Sequence, residues 1–181
     1  EKVLLLNNDT IVHPLALESM IECMDKHAEI GVLGPLLLNA DGSIQSCGLR
    51  FPHPLLAPWR SLRAKMGRSS RKCVDSGTEP VSVDAVVGAA MLIRRQTLQQ
   101  VGLMDEGFFF YAEEADWCYR ARKAKWTVAT LPSARITHLG GQTAGREQER
   151  FYVERRWSRV RFEWKHYGAL LAQMDAFFIR A

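Results

Sequence analysis

Almost at its start the chain enters Val3-Leu4-Leu5-Leu6, an apolar run without polar alternation that stops at Asn7-Asn8-Asp9-Thr10. A strand with apolar side chains on both faces needs cover on both, as in a parallel sheet packed between helices. Ile30-Gly-Val-Leu-Gly-Pro-Leu-Leu-Leu38 reads as a second strand, and Val81 to Ile93 is apolar and β-branched enough for a third. Thr127 to Leu131 predicts another, stopped by Pro132. Helical segments alternate with these runs. From Pro14, the residues Leu17, Met20, Ile21 and Met24 recur at helical spacing, with proline favoured in the first turn. Thr97 to Val101 predicts a short helix ended by Gly102, and Glu113 to Lys125 is rich in helix formers. The alternation predicts an α/β domain with a mainly parallel sheet, whose working residues gather beyond the carboxyl ends of strands.

Composition narrows the class further. The 181 residues are 47% hydrophobic and 24% charged with a net charge of +4, which excludes collagen, coiled coil and disorder. A chain of this size buries roughly 70% of its unfolded surface, so no disulfide or structural metal is needed to hold a core. The longest apolar stretch, Ala85 to Ile93, is far too short to span a bilayer. No secretory leader is visible, so residence is expected to be cytoplasmic. Cys23, Cys47, Cys73 and Cys118 form no C-x-x-C pair and read as free thiols. The sequence opens within a strand and without an initiating Met, which reads as the downstream part of a longer protein.

Two segments stand apart in composition. Between Pro52 and Pro80 prolines and basic residues accumulate without periodicity, which predicts a long surface loop. Residues 145–181 form a basic, amphipathic helical segment following a body of residues 1–144. Its Arg150, Arg155, Arg156, Arg159, Arg161, Lys165 and His166 admit three readings: a solvated helix face, contact with an anionic membrane surface or lipid-diphosphate, or nucleic-acid binding. The modest net charge and the lack of any nucleic-acid-binding motif argue against the last.

Three clusters carry chemistry. Asn7-Asn8-Asp9 ends the first strand, where a carboxylate and amides reach a hard cation through oxygen, although Asp9 or Thr10 serves equally to turn the chain. Glu113, Glu114 and Asp116 follow the aromatic run Phe108 to Tyr111. Carboxylates at a helix start are favoured by its dipole, but apolar neighbours also raise a carboxyl toward the range of a general base. His138 lies after a strand, where a lone histidine is usually structural, but with Gly140-Gly141 close by a backbone without side chains lets a ligand approach.

Together these clusters resemble the family 2 glycosyltransferases, particularly the bacterial rhamnosyltransferase-like and galactofuranosyltransferase-like members. Leu4 to Thr10 resembles the metal-binding acidic motif, Asp41-Gly-Ser-Ile-Gln45 the hairpin, and Gly88-Ala-Ala-Met-Leu-Ile-Arg94 the small-residue strand. Val101 to Tyr111 is similar to the segment before the base, Glu113-Glu-Ala-Asp-Trp-Cys-Tyr-Arg120 to the acidic catalytic motif, and His138 with Gly140-Gly141 to the late histidine motif.

The resemblance implies an A-type glycosyltransferase fold, Rossmann-like and lacking its N-terminal nucleotide-binding part, with a nucleotide-sugar donor and Mn²⁺ or Mg²⁺. Asp9 and His138 are then the metal ligands, with the cation stabilising charge on the departing diphosphate. Asn7, Asn8 and Asp9 would contact the donor, and Gly88, Ala89 and Ala90 would leave room for its sugar. Glu114 would deprotonate the acceptor hydroxyl in a single displacement that inverts configuration. Glu113 competes for that role, and Asp116 faces the acceptor or stabilises the helix. Asn7 and Glu114 depart from the aspartates common in the family.

The reading is therefore an inverting transferase moving a sugar from dTDP-rhamnose or a UDP-sugar to a glycan or lipid-linked acceptor in cell-surface polysaccharide synthesis. The alternative is a catalytically incomplete fragment acting as an acceptor-binding or membrane-docking module. Because the upstream strands that bind base and ribose in relatives are missing, these 181 residues alone are expected to bind donor weakly. They are also expected to self-associate through the exposed first strand.

Overall fold

The structure is a computed structural model and describes residues 1–53, 55, 77–140 and 148–173. Most of the Pro52–Pro80 loop, as well as Gly141 and residues 174–181 of the carboxyl-terminal segment, lies outside the described residues. The chain forms two compact units.

The first unit spans Glu1–Phe51, Cys73–Asp105 and Glu114–Arg146. Its described residues hold seven strands: β1 (Lys2–Leu6), β2 (Thr10–Val12), β3 (Ile30–Leu38), β4 (Ile44–Ser46), β5 (Val81–Ser82), β6 (Ala90–Arg94) and β7 (Thr127–His138). They form one sheet in the order β1-β6-β3-β7-β2, with β4 added to β3 and β5 to β7. The α/β class stands, but the expectation of a mainly parallel sheet does not. Only β3 and β7 run parallel; the other described pairings are antiparallel, so the sheet is mixed. An unbroken apolar run reports burial, not strand direction, which is why the sequence misleads here.

β3 is the centre of this sheet and is buried along its whole length. The helix α1 (Ala16–Lys26) packs on β3 and β7 through Ala16, Met20, Cys23 and Met24, which recur on one helical face. Met20, Met24, Ile30, Leu33, Leu37 and Ile136 are the fully buried heart of the resulting core. Pro14 does not open this helix: Leu15 takes a left-handed conformation at φ 64° as the N-cap, and helical geometry begins only after it. At the other end, Arg94 donates from its guanidinium to the carbonyls of Met24, His27 and Ile30. A cation there satisfies carbonyls left without partners at a helix end and matches the negative pole of the dipole.

Two boundaries differ from expectation for local reasons. Pro132 does not stop β7, because a shift in register between Pro35 and Leu36 of β3 absorbs Pro132 to Ala134 as a bulge, and pairing resumes at Arg135. Val81 to Ile93 is two strands, with residues 83–89 between them crossing the sheet face. There Val86 fills the space beside Gly34, where a Cβ would sit 2.8 Å from Val86 Cγ1. The short helix α2 (Arg95–Val101) ends at Gly102 with φ 82°, as the sequence predicts. Cys23 and Cys118 are free, but Cys47 is disulfide-bonded. Spacing along the chain cannot exclude a bridge, since only the approach of Cβ atoms in space decides it.

β1 sits at one end of the sheet, paired on one side to β6, and its Leu5 and Leu6 are 37% and 42% exposed.

The second unit comprises the described residues among Pro52–Lys72, Glu106–Glu113 and 147–181. Its helix α4 (Gln148–Tyr167) meets the aromatic segment: Ser158 Oγ donates to Phe110 O at 2.8 Å, and the Phe110 and Phe151 rings lie 4.6 Å apart. Arg161 and Lys165 stand over the Phe108 ring, and a Cβ at Gly107 would collide with the Arg161 guanidinium. On α4, Val153, Trp157, Val160 and Trp164 recur along one stripe; Trp157 and Trp164 are 56% and 62% exposed. No helix among the described residues is long and apolar enough to cross a membrane.

Candidate active site

Strand pairing gathers the first cluster. The β2–β7 ladder sets Thr10 opposite His138, and Leu139 N donates to Asp9 O at 2.9 Å one step further on. Asp9 Oδ1 and His138 Nε2 come to 3.4 Å, although they are far apart in sequence. Asp9 Oδ1 is shielded from solvent and has no hydrogen-bond partner, so this oxygen and this nitrogen face each other without a well-aligned bond between them. A shielded carboxylate oxygen in that position is costly unless a charged group completes it.

The loop that carries Asp9 is pinned at both ends. Thr10 Oγ1 donates to Asn7 O at 2.7 Å, and Asn7 N donates to Ala89 O at 3.0 Å. Since β1 pairs with β6 so that Leu6 lies opposite Ala90, Asn7 comes beside Ala89, whereas Asp9 leads into β2 and is held at Leu139. Asn7 and Asn8 are exposed, whereas Ala89 and Ala90 are buried.

Two further residues support His138. Gln45 Oε1 lies 2.8 Å from His138 Nδ1, and Gln45 Nε2 donates to His138 O at 2.9 Å and Asn39 Oδ1 at 3.0 Å. Composition and spacing single out neither Gln45 nor Asn39 as a working residue. The available signal is the Asp-Gly turn, which returns β4 along β3 and puts Ser43 and Gln45 on one face by strand alternation. His13 takes a separate partner, with its Nε2 2.9 Å from Thr137 Oγ1.

The acidic cluster lies on the helix α3 (Glu113–Lys123). Tyr111 and Ala112 immediately before it both have positive φ, 67° and 66°, which is costly for residues with a Cβ and tends to mark functional sites. The structure separates the three carboxylates by environment. Asp116 is fully buried and accepts from Arg120 Nε at 2.9 Å, and Arg120 also donates to Val101 O and Leu103 O. That ion pair fastens α3 to the end of α2, which is a structural employment for Asp116. Glu114 is buried at 8% exposure. Glu113 is half-buried, with its Oε2 shielded and without a hydrogen-bond partner.

One turn after Glu114, Cys118 ties α3 to the segment leading into Gly88. Burial pushes its thiol from the ordinary value near 9 up to about 12; a hydrogen bond from the Val86 backbone opposes the rise and the Glu114 charge adds to it. Between those values the unfolded chain loses the proton and the folded chain keeps it. Stability should therefore fall as pH rises from 9 toward 12, by about 1.4 kcal/mol per pH unit at most from this group. Urea unfolding at about pH 8 and about pH 10.5 should show the fall, and Cys118→Ala should flatten it.

Among the described residues no three His, Cys, Asp or Glu side chains cluster to hold a metal ion. Asp9 and His138 thus offer two ligand atoms, and a cation seated on them would fill its shell with water and substrate oxygen, as cations bound with nucleotides commonly do. The Asp9 oxygen, shielded, without a hydrogen bond and facing His138 Nε2, fits such an ion.

Comparison with known proteins converges on one group. The profile described as "Glycosyltransferase like family 2" matches residues 1–159. N-acetylglucosaminyl-diphospho-decaprenol L-rhamnosyltransferase of Mycobacterium tuberculosis is 27% identical over 152 residues, 80% of this chain and 49% of that protein. The low-salt glycan biosynthesis hexosyltransferase Agl10 of Haloferax volcanii is 27% identical over 123 residues, 68% of this chain and 37% of its own. The chain thus spans about half the length, or less, of these curated relatives. Among solved structures, GalNAc-T7 with UDP, GalNAc and Mn²⁺ superposes with a TM-score of 0.53 at 18% identity, covering 76% of this chain and 27% of that one. That likeness gives the fold, an A-type glycosyltransferase fold.

Proposed function

Because this chain belongs to the glycosyltransferase like family 2, we propose that it carries the cation- and acceptor-handling part of an inverting transferase. The donor would be a nucleotide-diphosphate sugar, dTDP-rhamnose or a UDP-sugar, and the acceptor a glycan or lipid-linked glycan of cell-surface polysaccharide. The observation that carries the reading is the approach of Asp9 Oδ1 to His138 Nε2 at 3.4 Å. Mn²⁺ or Mg²⁺ bound there supplies Lewis-acid stabilisation of the diphosphate leaving group. An imidazole ligand suits Mn²⁺ better than Mg²⁺. Asn7 and Asn8 would orient the donor through their amides, and the small residues Gly88, Ala89 and Ala90 would leave room for its sugar only at the margin of the core in which Ala89 and Ala90 are packed. Glu114 would take the acceptor proton as the hydroxyl attacks the anomeric carbon, with Glu113 the competing base. Donor hydrolysis with and without MnCl₂, across a panel of nucleotide sugars, tests the reading. No Mn²⁺-dependent release of nucleotide from any donor, even in a protein extended upstream of Glu1, would overturn it.

A lipid-linked acceptor would place the protein at the cytoplasmic membrane face. The tryptophan stripe of α4, flanked by the exposed Arg161 and Lys165, suits an anionic interface. Sedimentation with phosphatidylglycerol vesicles should carry the chain down, and Trp157→Ser with Trp164→Ser should leave it in the supernatant. Equal sedimentation of both forms would remove α4 from that role.

Among the described residues β1 pairs on one side only, and with its exposed Leu5 and Leu6 this favours edge-to-edge association of the 181-residue chain. Analytical ultracentrifugation should show dimers growing with concentration, and Leu5→Lys should return the chain to monomer. A monomer at all concentrations would contradict this.

A further inference from the structure

His138 has two ring nitrogens, and the proposed chemistry uses one of them. The other, Nδ1, meets Gln45 Oε1 at 2.8 Å, and the direction of that bond follows from the groups around it. His138 O can only accept, so the Gln45 atom 2.9 Å from it must be the amide nitrogen. This leaves Oε1 at Nδ1, where an oxygen requires an N–H. The same polarity is imposed from the far end. The Asp41 carboxylate accepts from Ser43 Oγ at 2.6 Å and Ser43 N at 2.9 Å, and these bonds hold its carboxyl below the usual range. Ser43 Oγ, having donated to Asp41, accepts from Asn39 Nδ2 at 2.9 Å, which turns Asn39 Oδ1 toward Gln45 Nε2 at 3.0 Å. Every member of the chain from Asp41 to His138 thus has one permitted orientation.

We infer that Gln45 is a positioning residue: as the last member of the Asp41–Ser43–Asn39–Gln45 relay it keeps the proton of the neutral His138 ring on Nδ1 and presents Nε2 to a cation shared with Asp9. The inference rests on the cation reading proposed above. A ligating imidazole must offer a lone pair, and a partner at its second nitrogen selects the tautomer and fixes the ring plane. Without Gln45 the ring is free to place its proton on Nε2, where it would face Asp9 and block the cation.

The test is long-range ¹H–¹⁵N NMR of the histidine-labelled chain at a pH where the ring is neutral, with His138 assigned from its loss in His138→Asn. The wild type should show the Nδ1–H tautomer alone. Gln45→Met should move the population toward Nε2–H and weaken MnCl₂ binding, read by electron paramagnetic resonance, by about 10–100-fold. Gln45→Glu, which retains an acceptor for Nδ1–H, should keep the wild-type tautomer. An Nε2–H tautomer in the wild type overturns the inference even if Gln45→Met does not fold, and so does a folded Gln45→Met variant with unchanged tautomer. Failure of the wild type to bind MnCl₂ would instead remove the cation reading, and the tautomer would still decide what Gln45 does.

Discussion

Replacing Glu114 by glutamine should lower turnover by roughly 10²–10⁴ and leave donor affinity nearly unchanged. Glutamine keeps the length and hydrogen-bonding reach of the side chain but cannot accept a proton from the acceptor hydroxyl. Of the three carboxylates in the acidic motif, Asp116 is occupied by Arg120 and by the fastening of α3 to the end of α2. Glu114 is the buried carboxylate one turn before Cys118, whose thiol meets the backbone leading into Gly88. Acceptor-dependent initial rates, measured in this chain and in a protein extended upstream, would show a fall in kcat with the donor KM retained. Wild-type turnover in Glu114→Gln, together with loss in Glu113→Gln, would move the base by one residue. Asp116→Asn should act differently, by lowering the unfolding midpoint through loss of a buried ion pair.

Asp9→Ala should remove Mn²⁺-dependent turnover, by at least about 10²–10³ if the cation stabilises the leaving diphosphate as preorganised charges do elsewhere. The fold should survive. The bonds that shape this loop run through the Asp9 carbonyl, the Thr10 hydroxyl and the Asn7 N–H, none of which the substitution touches. His138 would still be held by Gln45. Thermal unfolding of Asp9→Ala close to that of the wild type, combined with lost metal dependence, is the expected pair of results. A variant that still responds to MnCl₂ would place the cation elsewhere.

The approach of Asp9 to His138 is legible in the sequence, whereas the strand directions of the sheet are not. The apolar run Ile30–Leu38, the Asp-Gly turn after it and the helical spacing of Met20 and Met24 each report a local preference that tertiary packing reinforces. Strand direction is different in kind, because β1 and β6 look the same in sequence whether they run parallel or antiparallel. Pro132 is another such case: it reads as a terminator, yet β7 carries it in a bulge whose cost is met by pairing on both sides. The approach of Asp9 to His138 is anticipated on the expectation that each follows a strand of a parallel sheet, whereas the structure achieves it through the antiparallel β2–β7 ladder, with His138 the last residue of β7. Gln45 escapes notice since a glutamine in a hairpin is ordinary until its amide is found between the carbonyl and the ring of His138.

In the proposed function Asp9 and His138 share one divalent cation. Electron spin-echo spectroscopy of Mn²⁺ bound to the ¹⁵N-histidine-labelled chain, with UDP or dTDP present, measures directly whether an imidazole nitrogen is bonded to the ion. A cation held by both residues should give coupling from a single imidazole nitrogen, lost in His138→Ala and accompanied by weaker Mn²⁺ binding in Asp9→Ala. Bound Mn²⁺ with no imidazole coupling, or coupling that persists in His138→Ala, would contradict it.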